Sequence, residues 1–223
     1  NNYIDHASNK LKIGSKKLNW SCDEVPRWFS YQKNDSKKGI KYSMSKTLIP
    51  KYIKDGAKLI NSCEVIRIKK AKNGTNEVLV SINKKEVSFF SDYIFLSAGS
   101  IYTPFILKKS GFKRNIGKGL KMHPSFKFTA LFNDEVHNET LEVPVYQVKE
   151  FSPEITLGCS LSTKPFLGSN LYHTDSINLL SSWKKMSNYY SMIRPEGIGN
   201  IHYSSIFSDP IVTFNLTHND KLN

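Results

Sequence analysis

The chain has 223 residues, 39% of them hydrophobic, and a formal net charge of +13, which is enough length and apolar content to bury roughly 70% of the unfolded surface. No apolar run approaches the roughly 18 residues needed to cross a bilayer, and no secretory signal stands at Asn1-Asn2-Tyr3. The expectation is a soluble, cytoplasmic chain with no transmembrane segment and, lacking an initiator Met, a piece of a longer protein. Residues 1–124 hold 25 Lys and Arg against 9 Asp and Glu, whereas residues 125–223 hold 7 against 10. The basic pairs, among them Lys16-Lys17, Lys69-Lys70 and Lys108-Lys109, are scattered rather than interleaved with aromatics. That pattern describes a solvated surface better than a specific nucleic-acid footprint. Cys22, Cys63 and Cys159 are an odd number without metal spacing, which argues against a disulfide framework or a zinc site.

Residues 1–42 have weak periodicity, with Trp20, Trp28, Phe29 and Tyr31 among polar residues, and read as loop structure held by aromatic anchors. Ser45 is placed to cap a helix whose apolar face is Leu48, Ile49, Tyr52 and Ile53, with Pro50 in its interior and Gly56 just past its end. Leu59 to Ile68 alternates as a strand, Lys72-Asn73-Gly74-Thr75 is a hairpin turn, and Glu77 to Ile82 and Glu86 to Phe90 complete a three-stranded meander. Tyr93 to Leu96 reads as a strand buried on both faces. Ser97, Ala98 and Gly99 follow with side chains small enough for something large to approach the backbone. Thr103 then reads as an N-cap with Pro104 at the first helical position, Ile106 and Leu107 as the apolar stripe, and Gly111 as the stop. A strand delivering a glycine turn to a helix is a nucleotide-site geometry.

From Ser125 the pattern changes to longer alternation, with Phe126, Phe128, Ala130 and Phe132 on one side and Ser125, Lys127 and Thr129 on the other. Glu142 to Val148, Ile155 to Leu161, Ile198 to Phe207 and Ile211 to Leu216 are further strands. Thr174 to Met192 is expected to be helical, with Ile177, Leu180, Trp183 and Met186 as its stripe. Gly117-Lys118-Gly119 and Gly197-Ile198-Gly199 lack the third glycine of a phosphate loop. No Gly-x-Ser-x-Gly elbow supports a hydrolase.

Gly99, Ser100, Thr103, Pro104, Ile106, Leu107, Ser110 and Gly111 together resemble the second signature of the glucose-methanol-choline (GMC) oxidoreductases, departing from it at Phe112 and Lys113, where the family carries an aliphatic residue and Gly. Ile116 to Pro124 resembles the family's Gly-(Arg or Lys)-x-Leu-x-x-His-Pro element, in which the residue matching His123 is not the catalytic base. The resemblance implies an α/β fold, α+β overall. Part of a Rossmann-like, flavin-binding domain with a β-meander is joined to a mostly antiparallel substrate-domain sheet with helices. It implies a loop-rich segment at 1–42, a partial FAD-binding domain at 43–124 and a partial substrate-binding domain at 125–223. FAD is the implied cofactor, with Val65, Ala98 and Gly99 meeting its adenine side through backbone groups. A small-molecule alcohol is the implied substrate, and the electron acceptor is unknown. The catalytic His segment is expected beyond residue 223 and the pyrophosphate loop before residue 1, so the piece alone is expected to bind flavin poorly. Two other readings stay open: a basic module that binds nucleic acid or an anionic surface, and a family member without catalysis.

Overall fold

A computed structural model of the chain describes residues 5–32, 35–137 and 143–222. In chain order the elements are α1 (His6–Lys17), β1 (Cys22–Glu24), β2 (Phe29–Gln32), β3 (Asp35–Lys41), α2 (Leu48–Lys54), β4 (Cys63–Lys70), β5 (Asn76–Ile82), β6 (Lys85–Ser91), α3 (Gly99–Lys109), β7 (Lys118–Leu120), β8 (Ser125–Leu131), β9 (Tyr146–Val148), β10 (Ile155–Cys159), α4 (Lys164–His173), a 3₁₀ helix (Ile177–Lys185), β11 (Met186–Ile193), β12 (Gly199–His202), β13 (Ile211–Phe214) and α5 (His218–Leu222). They form two compact units, residues 1–55 with 123–194 and residues 56–122 with 195–223. The break after Met122 lies two residues from the boundary expected at 124. Residues 195–223 group with 56–122 rather than with the strands after Ser125, because β12 pairs with β7 and takes contacts from α3.

The first unit is built on an antiparallel sheet of order β1-β9-β10-β11-β8. Helix α1 replaces the loop expected there. Asp5 caps it, its carboxylate accepting the Ser8 N–H at 2.7 Å, and Ala7, Leu11 and Ser15 recur every four residues along one face. Ala7 is fully buried with Val136, Cys159 and Tyr189, and Leu11 packs against this cluster. The Tyr189 hydroxyl donates to the Ala7 carbonyl at 2.9 Å, and burial pushes that phenol's pKa up. Small residues let the helix sit close to the sheet, and because they are small they left little hydrophobic signal.

The helix expected over 174–192 is a 3₁₀ turn followed by a strand. Ile177, Leu180, Trp183 and Met186 are spaced by three, the period of a 3₁₀ helix, and from Met186 the chain pairs with β10 and β8. Helix α4, not foreseen, starts with a Pro in its first turn and buries Leu167 and Leu171 against Met186, Leu180 and Trp183. Helix α2 has Thr47, not Ser45, at its N-cap; Pro50 falls in the first turn, where an absent N–H lacks an intrahelical partner anyway. The expected strand from Glu142 begins only at Tyr146, and Glu142 itself lies outside the described residues.

In the second unit β4, β5 and β6 form the expected antiparallel meander. Its first turn is held by the Asn73 side chain, which accepts from the Thr75 N–H at 3.2 Å and hydroxyl at 2.8 Å. Its second turn places Asn83 and Lys84 both at positive φ, the conformation a two-residue hairpin demands. β13, β12 and β7 make a second small sheet.

The C-terminal helix closes this unit through Asp220. Its carboxylate accepts the Thr217 N–H at 2.8 Å while the Thr217 hydroxyl accepts the Asp220 N–H at 3.1 Å, a reciprocal cap. The same carboxylate accepts the N–H groups of Glu196 at 2.8 Å and Gly197 at 3.0 Å. Burial alone would raise its pKa, but these hydrogen bonds outweigh it and lower the value from 3.8 to about 2. Because the folded value lies below the unfolded one, the stabilisation is fully present above 3.8 and is lost as pH falls toward about 2. Thermal melts across that interval are expected to show an acid loss of stability in the native chain and a flatter, lower profile in Asp220→Asn. Equal slopes in the two would contradict this role.

Several large apolar side chains are exposed, Tyr93, Phe95, Phe126 and Ile206 among them. Among the described residues no helix is long and apolar enough to cross a membrane, no His, Cys, Asp and Glu cluster could hold a metal, and the three cysteines are unbridged.

Candidate functional site

The resemblance places its site on β4 and on the bend leading into α3, both in the second unit. Val65 faces Val80 across the meander, immediately before a bulge that leaves Ile66 without a counterpart on β5. Among the described residues β4 is an outer strand, with one edge that no strand covers. On β4, the Ile68 N–H donates to the Ser110 hydroxyl at 2.8 Å, and that hydroxyl donates to the Ile106 carbonyl at 2.7 Å. One serine of the signature thus seats the end of α3 on β4, with Phe105 and Ile106 buried beneath. Gly111, at φ +90°, ends the helix.

The other end of α3 departs from expectation. Tyr93 to Leu96 is not a buried strand: it keeps an alternation of exposed and half-buried residues, but no strand pairs with it among the described residues, and Tyr93 and Phe95 are 82% and 92% exposed. Helix α3 starts at Gly99 rather than at Pro104, which lies inside it. Gly99 turns the chain at φ +84°, and Thr103 acts from within the first turns, its hydroxyl accepting the Ala98 N–H at 3.0 Å. The N-cap residue Ala98 offers no side-chain cap, so the leading N–H groups of an eleven-residue helix have no acceptor within it. Residues 97–100 are exposed, and a Cβ built on Gly99 would meet nothing within 4 Å.

Ala98 and Gly99 therefore present unobstructed main chain at the positive end of a helix dipole, which suits the approach of a flat ring or an anion. Val65 sits on the strand to which the same helix is fixed, and its backbone belongs to an outer strand. These residues fit the adenosine half of a dinucleotide in both respects. Tyr93 and Phe95 were expected to be covered and are not. Among the described residues no strand pairs with the segment they belong to.

Two lysines without a local sequence signal tie segments of the second unit together. The Lys108 ammonium donates to the Ile201 carbonyl, and the Ile201 N–H donates to the Gly117 carbonyl at 2.7 Å. Lys121 donates to the carbonyls of Pro195, Glu196 and Gly197 at 3.4, 2.9 and 3.2 Å. Residues 195–197 are therefore gripped by an ammonium on their carbonyls and by the Asp220 carboxylate on their amides. The spacing Thr217-x-x-Asp220 was the available signal for the second of these. The paired glycines, which lack the third residue of a phosphate loop, serve close backbone packing: a Cβ on Gly197 would lie 2.2 Å from the Asn215 carbonyl oxygen, and one on Gly199 2.4 Å from that of Thr213.

The sequence model of the GMC oxidoreductase family matches residues 2–125. The chain belongs to that family. GMC oxidoreductases are flavin-dependent, and the matched region contains the β4–α3 pair and both elements compared above. Among its relatives is y4nJ, an uncharacterized GMC-type oxidoreductase of Sinorhizobium fredii (strain NBRC 101917 / NGR234), 30% identical over 223 residues, covering 94% of this chain and 44% of the relative. The chain thus spans less than half the length of that curated GMC relative. Among solved structures, pyridoxine 4-oxidase from Mesorbium loti is similar with a TM-score of 0.51 and 18% identity, over 72% of this chain and 36% of the other. That likeness supports the GMC fold, mixed helix and antiparallel sheet, reached from the sequence.

Proposed function

We propose that the full-length protein is an FAD-dependent oxidoreductase acting on CH–OH groups, and that Val65, Ala98 and Gly99 meet the adenine side of the cofactor through their backbones. The observation that carries this reading is the bend itself. Its main chain is open, its φ demands glycine, and it feeds a helix whose leading N–H groups have no side-chain cap. The chemistry FAD supplies when bound is acceptance of a hydride from the carbon that bears the hydroxyl. The residues of this chain bind and orient. Gly99 and Ala98 receive the adenosine, Ser110 fixes α3 on β4, and Lys121 with Asp220 immobilises the 195–197 turn. We assign no catalytic base to residues 1–223. The substrate class is an alcohol, sugar or sterol-like compound, and the electron acceptor is left open.

The test is the absorbance of the purified full-length protein, followed by dye reduction with a panel of alcohols. Pyridoxine, the compound named in the structural neighbour, belongs in that panel. A flavin spectrum with alcohol-dependent reduction is expected, and a colourless protein inert to every alcohol would refute the reading. Gly99→Val, which forces a β-branched residue to positive φ, is expected to lower flavin affinity about tenfold, a change of about 1.4 kcal/mol. Retention of full flavin occupancy at limiting FAD would remove Gly99 from the site.

A further inference from the structure

Asn73-Gly74 is the single Asn-Gly pair in the sequence, and it lies at the tip of the β4–β5 hairpin with both residues exposed. Gly74 stands at φ +85°, and a Cβ built on it would meet nothing within 4 Å, so no side chain shields its amide nitrogen. An asparagine followed by glycine holds both reactants of an intramolecular acyl transfer. The side-chain carbon Cγ is the electrophile and the next main-chain nitrogen is the nucleophile, tethered at ring-forming distance.

The position of Thr75 gives this pair its particular chemistry. Its N–H at 3.2 Å and its hydroxyl at 2.8 Å both donate to Asn73 Oδ1, the oxygen on which negative charge collects when Cγ is attacked. Two donors converging on that atom make the arrangement of an oxyanion hole. The Gly74 N–H donates to the Ala71 carbonyl at 3.0 Å, a bond that must open before the nitrogen can turn to Cγ. The Thr75 bonds span residues 73–75 alone and do not depend on it, and an exposed hairpin tip opens locally without unfolding the sheet. Lys70 and Lys72, both exposed, line the recess beside Asn73 and favour the nitrogen anion that attacks. Lys69, in the same recess, is paired with Glu77 at 3.1 Å. The second turn of the meander is the contrast, because there Asn83 is followed by Lys84, whose side chain stands over the nitrogen.

We infer that Asn73 is a self-modifying site whose deamidation Thr75 promotes. A solvent base takes the Gly74 amide proton, the bond from Gly74 N to Asn73 Cγ forms, and the Cγ–Nδ2 bond breaks, the nitrogen leaving as ammonia with a proton from solvent. Water then opens the succinimide without any redox change. Cleavage between N and Cγ gives aspartate, and cleavage at the main-chain carbonyl of residue 73 gives isoaspartate. Aspartate still accepts from Thr75 and keeps the turn. Isoaspartate adds a methylene to the main chain next to the register that pairs Lys70 with Asn76. Either product sets a new carboxylate beside Lys70 and Lys72. The inference goes beyond the proposed oxidoreductase function and does not depend on it.

The experiment incubates full-length protein at mildly alkaline pH, native and in urea, and follows residue 73 by peptide mass mapping that separates aspartate from isoaspartate. Asn83 is the internal reference. In native protein Asn73 is expected to convert while Asn83 stays intact. Thr75→Val, which keeps the branched shape and loses the hydroxyl, is expected to slow conversion about threefold to tenfold, the size of one neutral hydrogen bond. Thr75→Ser is expected to restore the wild-type rate, and in urea, where Thr75 has no fixed position, all three proteins should convert alike. Faster conversion in Thr75→Val would mean that the hydroxyl guards Asn73, and would overturn the inference. Equal native rates in Thr75→Val and wild type, a difference that persists in urea, or a residue 73 that remains asparagine throughout would overturn it as well.

Discussion

Gly117→Ala is expected to destabilise the unit formed by residues 56–122 and 195–223 by about 3 kcal/mol, whereas Gly119→Ala, two residues away, is expected to cost only about 1 to 2 kcal/mol. Both glycines have positive φ, +71° and +76°, so each alanine bears the penalty of a left-handed residue. The difference lies in what the added methyl meets. At Gly119 nothing stands within 4 Å, but at Gly117 the Cβ falls 2.6 Å from the Ile201 carbonyl oxygen and 3.0 Å from Lys108 Cε. Two backbones would have to part, and their separation would weaken the Ile201 N–H to Gly117 carbonyl bond and the Lys108 contact to the Ile201 carbonyl. Urea unfolding of the two variants reads the contrast directly. Equal losses would mean that β7 can move away from β12 at little cost, and would remove the packing explanation for this glycine of the family element.

Leu167→Ala should be the most damaging single truncation in the other unit, lowering its stability by about 3 to 4 kcal/mol. Leu167 is fully buried between Leu171, Met186, Leu180 and Trp183. The surroundings resist collapse because Gly168 already lets the 3₁₀ helix in, a Cβ there lying 3.3 Å from Leu180. Neither α4 nor β11 can then close further on the void. Leu48→Ala on α2, a leucine 60% exposed, serves as the matched control and is expected to cost less than about 0.5 kcal/mol. A comparable loss at both sites would show that the Leu167 cluster is not the core of this unit.

The sequence made the meander legible because its strands alternate and its turns carry Asn73-Gly74 and Asn83-Lys84, chemistry that acts within a few residues. The strand at Ser125 was legible for the same reason, with Phe128 and Ala130 facing α1 and Lys127 facing away. What failed depended on partners distant in the chain. Helix α1 is specified by Ala7, Ser8 and Ser15, whose value is that they are small against Val136, Val145 and Cys159. The stripe at Ile177 to Met186 is spaced by three, which fits the 3₁₀ helix found there and differs from the 3.6-residue period of an α-helix. The helix starts at Gly99, whose φ makes the turn, and not at Thr103 and Pro104, whose residue types favour a helix start but which lie inside the helix.

Strand β7 ends at Leu120 and its partner β12 opens at Gly199, and this spacing governs how the unit is born. At roughly 5 to 20 residues per second on the ribosome, the intervening stretch takes on the order of 4 to 16 seconds to emerge. During that interval Gly117, already made, has no Ile201 to bind, and Lys121 has no turn to grip. The nascent chain must wait with Phe105 uncovered by Tyr203, its tilted neighbour at 5.8 Å. Any translational stop before the codon for Gly199 therefore yields a product that can complete the meander yet never pair β7 with β12.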